Sequence, residues 1–170
     1  MRVYLPATVS MLRELADKGQ LAPVNGTAFA LTPALREFYT GGSDEELEYA
    51  ALLEAARASL RLLAAELDAG DDSPENPQRR AVVAVDTDDV RPRPDLDAAV
   101  VRVAGAVPLS AVASVHVDTE EAEDAVRAAA KVVDAADLGD DDAEFVLGDA
   151  EDHELAWYAP QELSFLLELL

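Results

Sequence analysis

Two histidines and the carboxylates beside them are the residues of this chain best suited to do chemistry. His116 and Asp118 lie two positions apart at the end of an apolar segment, and Glu154 follows His153 directly. Alternate residues of a strand point to the same face, so His116 and Asp118 can face one site. Imidazole and carboxylate groups together suit Zn, Mn or Fe. One hypothesis is therefore an enzyme or small-ligand binder with a site near His116, Asp118 and His153.

A structural role accounts for the same residues, and we favour it. Asp118 stands before a helical pattern with Glu121 three residues further on, which is typical of a helix N-cap. His153 falls in a predicted solvated hairpin loop, and the chain contains no His-Glu-x-x-His motif. We therefore predict no metal, no cofactor and no catalytic residue. We keep His116, Asp118, His153 and Glu154 as candidate surface or pocket residues.

Trp157 is the fifth candidate, because it belongs to the densest aromatic spot of the chain. Adjacent residues of a strand point to opposite faces, so one of Trp157 and Tyr158 should enter the core while the other lies nearer the surface. An exposed aromatic side chain beside the acidic residues 151–154 could contact a partner or a cation. The simpler interpretation, which we favour, is that both pack under the last helix.

Arg102 stands in the middle of the apolar run Val100, Val101 and Val103. A buried arginine needs an opposite charge. Acidic residues are abundant nearby, so the sequence predicts a buried structural ion pair for Arg102 rather than an anion site.

Short catalytic motifs are missing from the sequence. It contains neither G-x-x-x-x-G-K-[ST], nor G-x-G-x-x-G, nor G-x-S-x-G. The acidic run 137–144 lacks the ligand order of a calcium-binding EF-hand loop. The function therefore leans towards a non-enzymatic one, although many enzymes also lack short motifs.

The charge balance restricts the partners of this protein. The 170 residues include 35 Asp and Glu but only 13 Lys and Arg, which gives a formal net charge of −22. Nucleic acids and anionic membranes both need a positive face, so we predict neither as a partner. The absence of cysteine excludes disulfides and thiol chemistry. We expect a soluble, cytoplasmic protein-interaction or regulatory module, as a monomer or homodimer. Its acidic surface serves either solubility or the binding of a basic protein partner, and the acidity can also reflect a GC-rich genome or adaptation to salt.

Apolar periodicity predicts the elements that position these residues. A capping box at Ser43 and Glu46 begins a long helix that runs to about Leu67. Its predicted buried row, spaced by four and three residues, is Tyr49, Leu53, Ala56, Leu60, Leu63 and Leu67. Strands are predicted at 2–5, 27–31, 80–86, 98–104 and 112–117, and a hairpin at 144–147 and 153–158.

These elements predict the α+β class, or α/β, with the whole chain 1–170 as a single layered domain. We expect a mixed sheet of about five to seven strands, packed by about five helices. Residues 69–78 combine acids, Gly and two Pro, which predicts a mobile acidic linker. This linker separates a helix-rich N-terminal part from a strand-rich C-terminal part.

Five stretches cover much of the chain: MRVYLPAT, GTAFALTPALREFY, EYAALLEAARASLRLLA, AVPLSAVASVHVD and EDHELAWYAPQEL. Through these stretches the chain resembles a small, uncharacterised family of acidic, Ala-rich actinobacterial proteins. That resemblance implies a bacterial cytoplasmic protein and carries over no activity, ligand or functional residue.

Overall fold

A central strand near the N-terminus organises the molecule. The computed structural model describes all 170 residues, and strand β1 (Arg2–Ala7) lies between two antiparallel neighbours. These neighbours are β3 (Thr27–Ala30) and β4 (Ala81–Asp86), so that Tyr4 stands opposite both Phe29 and Ala84. Since helices cover both faces of β1, it is apolar along almost its whole length, which is typical of a strand inside a sheet.

Seven strands form the main sheet, in the order β5-β6-β3-β1-β4-β8-β9. The α+β class predicted from the sequence is confirmed. Every neighbouring pair is antiparallel. The sheet is therefore purely antiparallel, and the expectation of a mixed sheet is wrong. The other strands of this sheet are β5 (Val90–Pro92), β6 (Val100–Val103), β8 (Val112–Val117) and β9 (Ala156–Tyr158). A separate two-stranded ribbon pairs β2 (Gln20–Leu21) with β7 (Val107–Pro108).

Helices cover both faces of the sheet. The six helices are α1 (Val9–Lys18), α2 (Pro33–Phe38), α3 (Asp44–Asp68), α4 (Glu123–Asp137), α5 (Asp141–Glu151) and α6 (Leu163–Leu169). Helices α1 and α6 pack on one face, over a core that includes Leu5, Val83 and Val115. Helix α3 covers the other face over β1, β3 and β4. None of the helices combines the length and apolar character needed to cross a bilayer.

The long helix α3 forms where the capping box predicts it. The Ser43 hydroxyl accepts a hydrogen bond from the Glu46 backbone N–H at 3.2 Å. Further along the helix, the buried Ser59 hydroxyl donates to the Ala7 carbonyl at 2.7 Å and accepts from the Ala81 N–H at 3.1 Å. This single side chain therefore ties the helix to two adjacent strands.

Helices α4 and α5 form a hairpin that packs on the C-terminal half of α3. Leu60 and Leu63 of α3 are each 1% exposed and belong to the apolar cluster that α3 shares with these two helices. The β-hairpin predicted at 144–147 and 153–158 is wrong, because its first half lies inside α5. The Asp140 carboxylate caps that helix at the Ala143 N–H, and its buried positions recur at helical spacing.

Residues 69–78 connect α3 to β4 without a helix or a strand. Two side-chain contacts tie this segment to the helices beside it. Asp72 pairs with Arg127 of α4 at 3.0 Å, and Asn76 accepts from Arg13 of α1 at 3.0 Å. The mobility of this linker stays a prediction.

Candidate functional site

A buried ion pair lies where β8 ends. The Asp118 carboxylate accepts hydrogen bonds from the Arg80 backbone N–H and from its guanidinium, each at 2.8 Å. The side chains of Arg80 and Asp118 are 3% and 0% exposed. The predicted N-cap role of Asp118 is therefore wrong, since a bidentate partner from the neighbouring strand satisfies the carboxylate instead.

Arg80 also fixes the turn after α5. Its guanidinium donates to the backbone carbonyl of His153 at 2.8 Å. The structure thus brings two predicted residues, Asp118 and His153, to a common neighbour that the sequence analysis had not singled out. The available signal was an arginine at the start of an apolar strand, which requires a partner.

His116 is partly buried on β8 and forms one side-chain hydrogen bond. Its Nε2 lies 2.9 Å from the Ser114 hydroxyl. Burial lowers the pKa of His116 below its usual range, and the positive charge of Arg2 lowers it further. Burial therefore favours the neutral form of His116, which forms a hydrogen bond with Ser114. No three His, Asp or Glu side chains are grouped so that they could share a metal ion.

We expect the stability of the protein to fall as the pH drops through the titration range of His116. The folded-state pKa lies below the unfolded value of about 6.5, so the unfolded chain binds the proton first. We expect the free energy of unfolding in urea to decrease between pH 7.5 and a lower pH, and to decrease less in His116→Asn than in the wild type. His153→Asn provides the matched control for removing a histidine. Equal losses in the wild type and in His116→Asn would contradict this expectation.

A groove runs between α3 and the turn that joins α5 to β9. We call it the α3 groove. It has two adjoining cavities of ≈ 460 and ≈ 190 Å³ that share three lining residues, Tyr49, Leu53 and Glu151. The remaining residues of its lining are Leu52, Glu54, Arg57, Leu60, Arg80, Asp152, His153, Glu154 and Leu155. The groove is therefore apolar at its centre and acidic along its border.

Tyr49 and Leu53 are the exposed apolar side chains of this groove. They are 52% and 45% exposed, although the periodicity of the helix placed them in its buried row. That part of the prediction is wrong, whereas Ala56, Leu60 and Leu63 of the same row are buried. Neither Tyr49 nor Leu53 belongs to the apolar clusters that α3 forms with the sheet and with α4 and α5.

The opposite flank of α3 is also lined by apolar side chains. Phe38 and Tyr39 stack edge to face there, with ring centroids 5.3 Å apart. They share a cavity of ≈ 220 Å³ with Ala50 and Glu54. Apolar surface therefore continues across the N-terminal half of α3, from one flank to the other.

Carboxylates dominate the electrostatics of the α3 groove. Loss of solvent raises the pKa of Glu54, and the nearby charge of Asp97 adds to the rise. The one cation on the α3 wall is Arg57, which is already bound to Asp137 and Glu144 at 3.0 and 2.8 Å. These partners raise the pKa of Arg57, and their carboxylates balance its positive charge. The groove therefore offers negative charge and apolar area to a partner.

Trp157 lies on β9 and is 62% exposed. It stands opposite His116, whose other strand neighbour, Val82, packs under α3. Trp157 therefore projects from the same face of the sheet as α3, whereas Tyr158 packs in the core under α6. The interpretation that both aromatics are buried is wrong, and the alternation predicted for a strand is confirmed. Glu154, in the same turn, is exposed on the border of the groove.

Arg102 is exposed, and no carboxylate lies within ion-pair distance of it. The predicted buried ion pair is therefore wrong. The reason is that α3 packs on β1, β3 and β4 but leaves β6 open at this position.

Fold and groove together define an α+β protein with an acidic, partly apolar groove beside its long helix. The chain belongs to a family of unknown function, DUF6912, whose model matches residues 1–167. The resemblance to an uncharacterised family is thereby confirmed, while an actinobacterial origin stays a prediction. No curated protein and no solved structure matches the chain.

Proposed function

We propose that this protein is a non-enzymatic interaction module whose α3 groove binds a basic, amphipathic segment of a partner protein. The observation that carries the proposal is the exposure of Tyr49 and Leu53 at the centre of the groove. Apolar side chains that a helix presents to solvent inside a concave surface are typical of interaction sites. In this proposal the protein acts in the cytoplasm, as its composition predicts.

The chemistry of the partner follows from the border of the groove. Glu54, Glu151, Asp152 and Glu154 surround the apolar centre, and Arg57 is neutralised within the protein. Complementary charge speeds encounter and selects the partner, while burial of aromatic and aliphatic side chains supplies affinity. A segment that alternates Lys or Arg with apolar residues meets both requirements. A second copy of the chain fits less well, because two surfaces of net charge −22 repel each other.

Trp157 makes the binding directly measurable, because it is the single tryptophan of the chain. The probe is a synthetic amphipathic peptide of Leu and Lys, with a peptide of Leu and Glu as its charge-reversed control. We expect the Lys peptide to shift the emission of Trp157 to shorter wavelength and to bind saturably. The double variant Tyr49→Ser/Leu53→Ser should weaken this binding by about 10-fold or more, as loss of central anchors does at interfaces.

A matched variant separates the groove from general surface effects. Phe165 is an exposed aromatic residue on α6, which packs on the other face of the sheet. Phe165→Ser should bind the Lys peptide as the wild type does. The proposal fails if the groove variant and Phe165→Ser bind equally, or if the Leu and Glu peptide binds as tightly. A monomer–dimer equilibrium in sedimentation that Tyr49→Ser/Leu53→Ser abolishes would assign the groove to a second copy instead.

A further inference from the structure

We propose that Arg91 and Arg102 form a binding site for a small oxyanion, the phosphate or carboxylate group of a metabolite. Together with Arg93 they line an open cavity of ≈ 630 Å³ on β5 and β6, at the edge of the sheet remote from β9. The site is therefore separate from the α3 groove, and its test does not depend on the proposed function.

The register of the two strands places like charges together. Arg91 stands directly opposite Arg102 in the antiparallel pair of β5 and β6. Like charges in this position destabilise a sheet, since their side chains are adjacent on one face. An anion that binds between them would convert this repulsion into attraction.

These two arginines are unusual within the molecule because they lack ion-pair partners. Nine of the 13 Lys and Arg side chains pair with a carboxylate. In a chain with 35 acidic residues, two unpaired arginines side by side are difficult to explain as a structural feature. The adjacent, unpaired positive charges of Arg91 and Arg102 are therefore better explained by a bound anion than by a role in the fold.

Arg93 shows the binding geometry that this cavity supports. Its guanidinium binds the Asp95 carboxylate in a bidentate manner, at 2.9 and 2.7 Å. The pKa of Asp95 is lowered by Arg93 and, to a smaller extent, by Arg102. The positive charges of both arginines therefore already act on one carboxylate, that of Asp95. Planar guanidinium groups favour carboxylate and phosphate for the same geometric reason.

The backbone holds Arg102 in place. The methylene stem of Arg102 lies over Gly26, where a Cβ would come within 3.0 Å of its Cδ and 2.9 Å of the Val103 carbonyl oxygen. Gly26 also has a positive φ of 69°, which a side chain would oppose. The absence of a side chain at position 26 thus lets the arginine lie flat at the wall of the cavity.

A small ligand fits the electrostatics better than an acidic macromolecule. The net charge of −22 repels a large polyanion over its whole surface. A small anion inside the cavity senses mainly charges within a Debye length of about 8 Å. Asp88 and Asp89 also line the cavity and can accept hydrogen bonds from hydroxyl or amino groups of the ligand.

The test is calorimetric titration at physiological ionic strength with inorganic phosphate, pyrophosphate and citrate as probes. We expect saturable binding of at least one probe, and the choice between the phosphates and citrate identifies the recognised group. Arg91→Gln and Arg102→Gln should each weaken this binding by about 10- to 100-fold, as expected for the loss of a charge-assisted contact. The preferred probe should also raise the Tm of the wild type but not that of the double variant Arg91→Gln/Arg102→Gln.

Lys131→Gln is the control, because Lys131 is an exposed, unpaired cation on α4. It changes the net charge by the same amount as each arginine variant and should leave binding unchanged. The proposal is overturned if no probe binds saturably at millimolar concentration, or if Lys131→Gln weakens binding as much as Arg91→Gln does. A hexaglutamate peptide that binds more tightly than all three probes would also overturn it, by assigning the arginines to an acidic protein.

Discussion

Removing either partner of the Arg80–Asp118 pair should destabilise the protein by about 3–5 kcal/mol. Both side chains are almost completely buried, so the remaining charge would have no solvent and no counter-ion. Arg80→Met would also release the carbonyl of His153 and with it the turn that forms one wall of the α3 groove. Urea denaturation of Asp118→Ala and Arg80→Met measures the loss.

A double variant and an exposed pair complete this experiment. Arg80→Met/Asp118→Ala should lose less stability than the sum of the two single variants, because neither charge is left unpaired. Arg127→Ala breaks an exposed pair with Asp72 and should change the free energy of unfolding by less than about 1 kcal/mol. Additive losses in the double variant would show that the two side chains do not act as a pair.

Leu63→Ala should cost about 2–5 kcal/mol, because it leaves a cavity where α3 meets the α4–α5 hairpin. Leu63 is 1% exposed and belongs to the core that joins these three helices. Hydrogen exchange should show faster opening of α4 and α5 than of β1 and β4, since the central strands keep their own packing.

Leu53→Ala is the internal control for that loss. It removes the same atoms from the same helix, but Leu53 is 45% exposed in the groove. Its free energy of unfolding should stay within about 0.5 kcal/mol of the wild type. If the two variants lost similar stability, Leu53 would be part of the core, and its proposed role in binding would fail.

Local signals predicted much of the fold correctly. The capping box at Ser43 marks the first turn of α3, and near-continuous valine runs mark β4 and β6. The helix α5 was missed because Glu144–Leu147 contains β-favouring residues. The spacing of Ala143, Leu147 and Ala150 was the competing helical signal. The order of the strands could not be predicted, since it depends on contacts between distant parts of the chain.

The site residues show where local reasoning fails. Asp118 has the sequence of an N-cap, but Arg80 on the next strand offers it two hydrogen bonds from a charged group. Tyr49 has the spacing of a core residue, but its side chain lines the α3 groove and is half exposed. Both outcomes depend on what a neighbouring element supplies. The residues within one helical turn of Asp118 or of Tyr49 therefore do not predict the role of either side chain.

The central position of β1 also has a consequence for the chain during its synthesis. β1 can pair with β3 soon after residue 30 leaves the ribosome, but its other neighbour, β4, is not complete until residue 86. Between these two points an apolar strand presents one open edge, which is the kind of surface that recruits other unfolded chains. Strand β1, at the middle of the finished sheet, therefore keeps one edge unpaired until residue 86 of the nascent chain has been made.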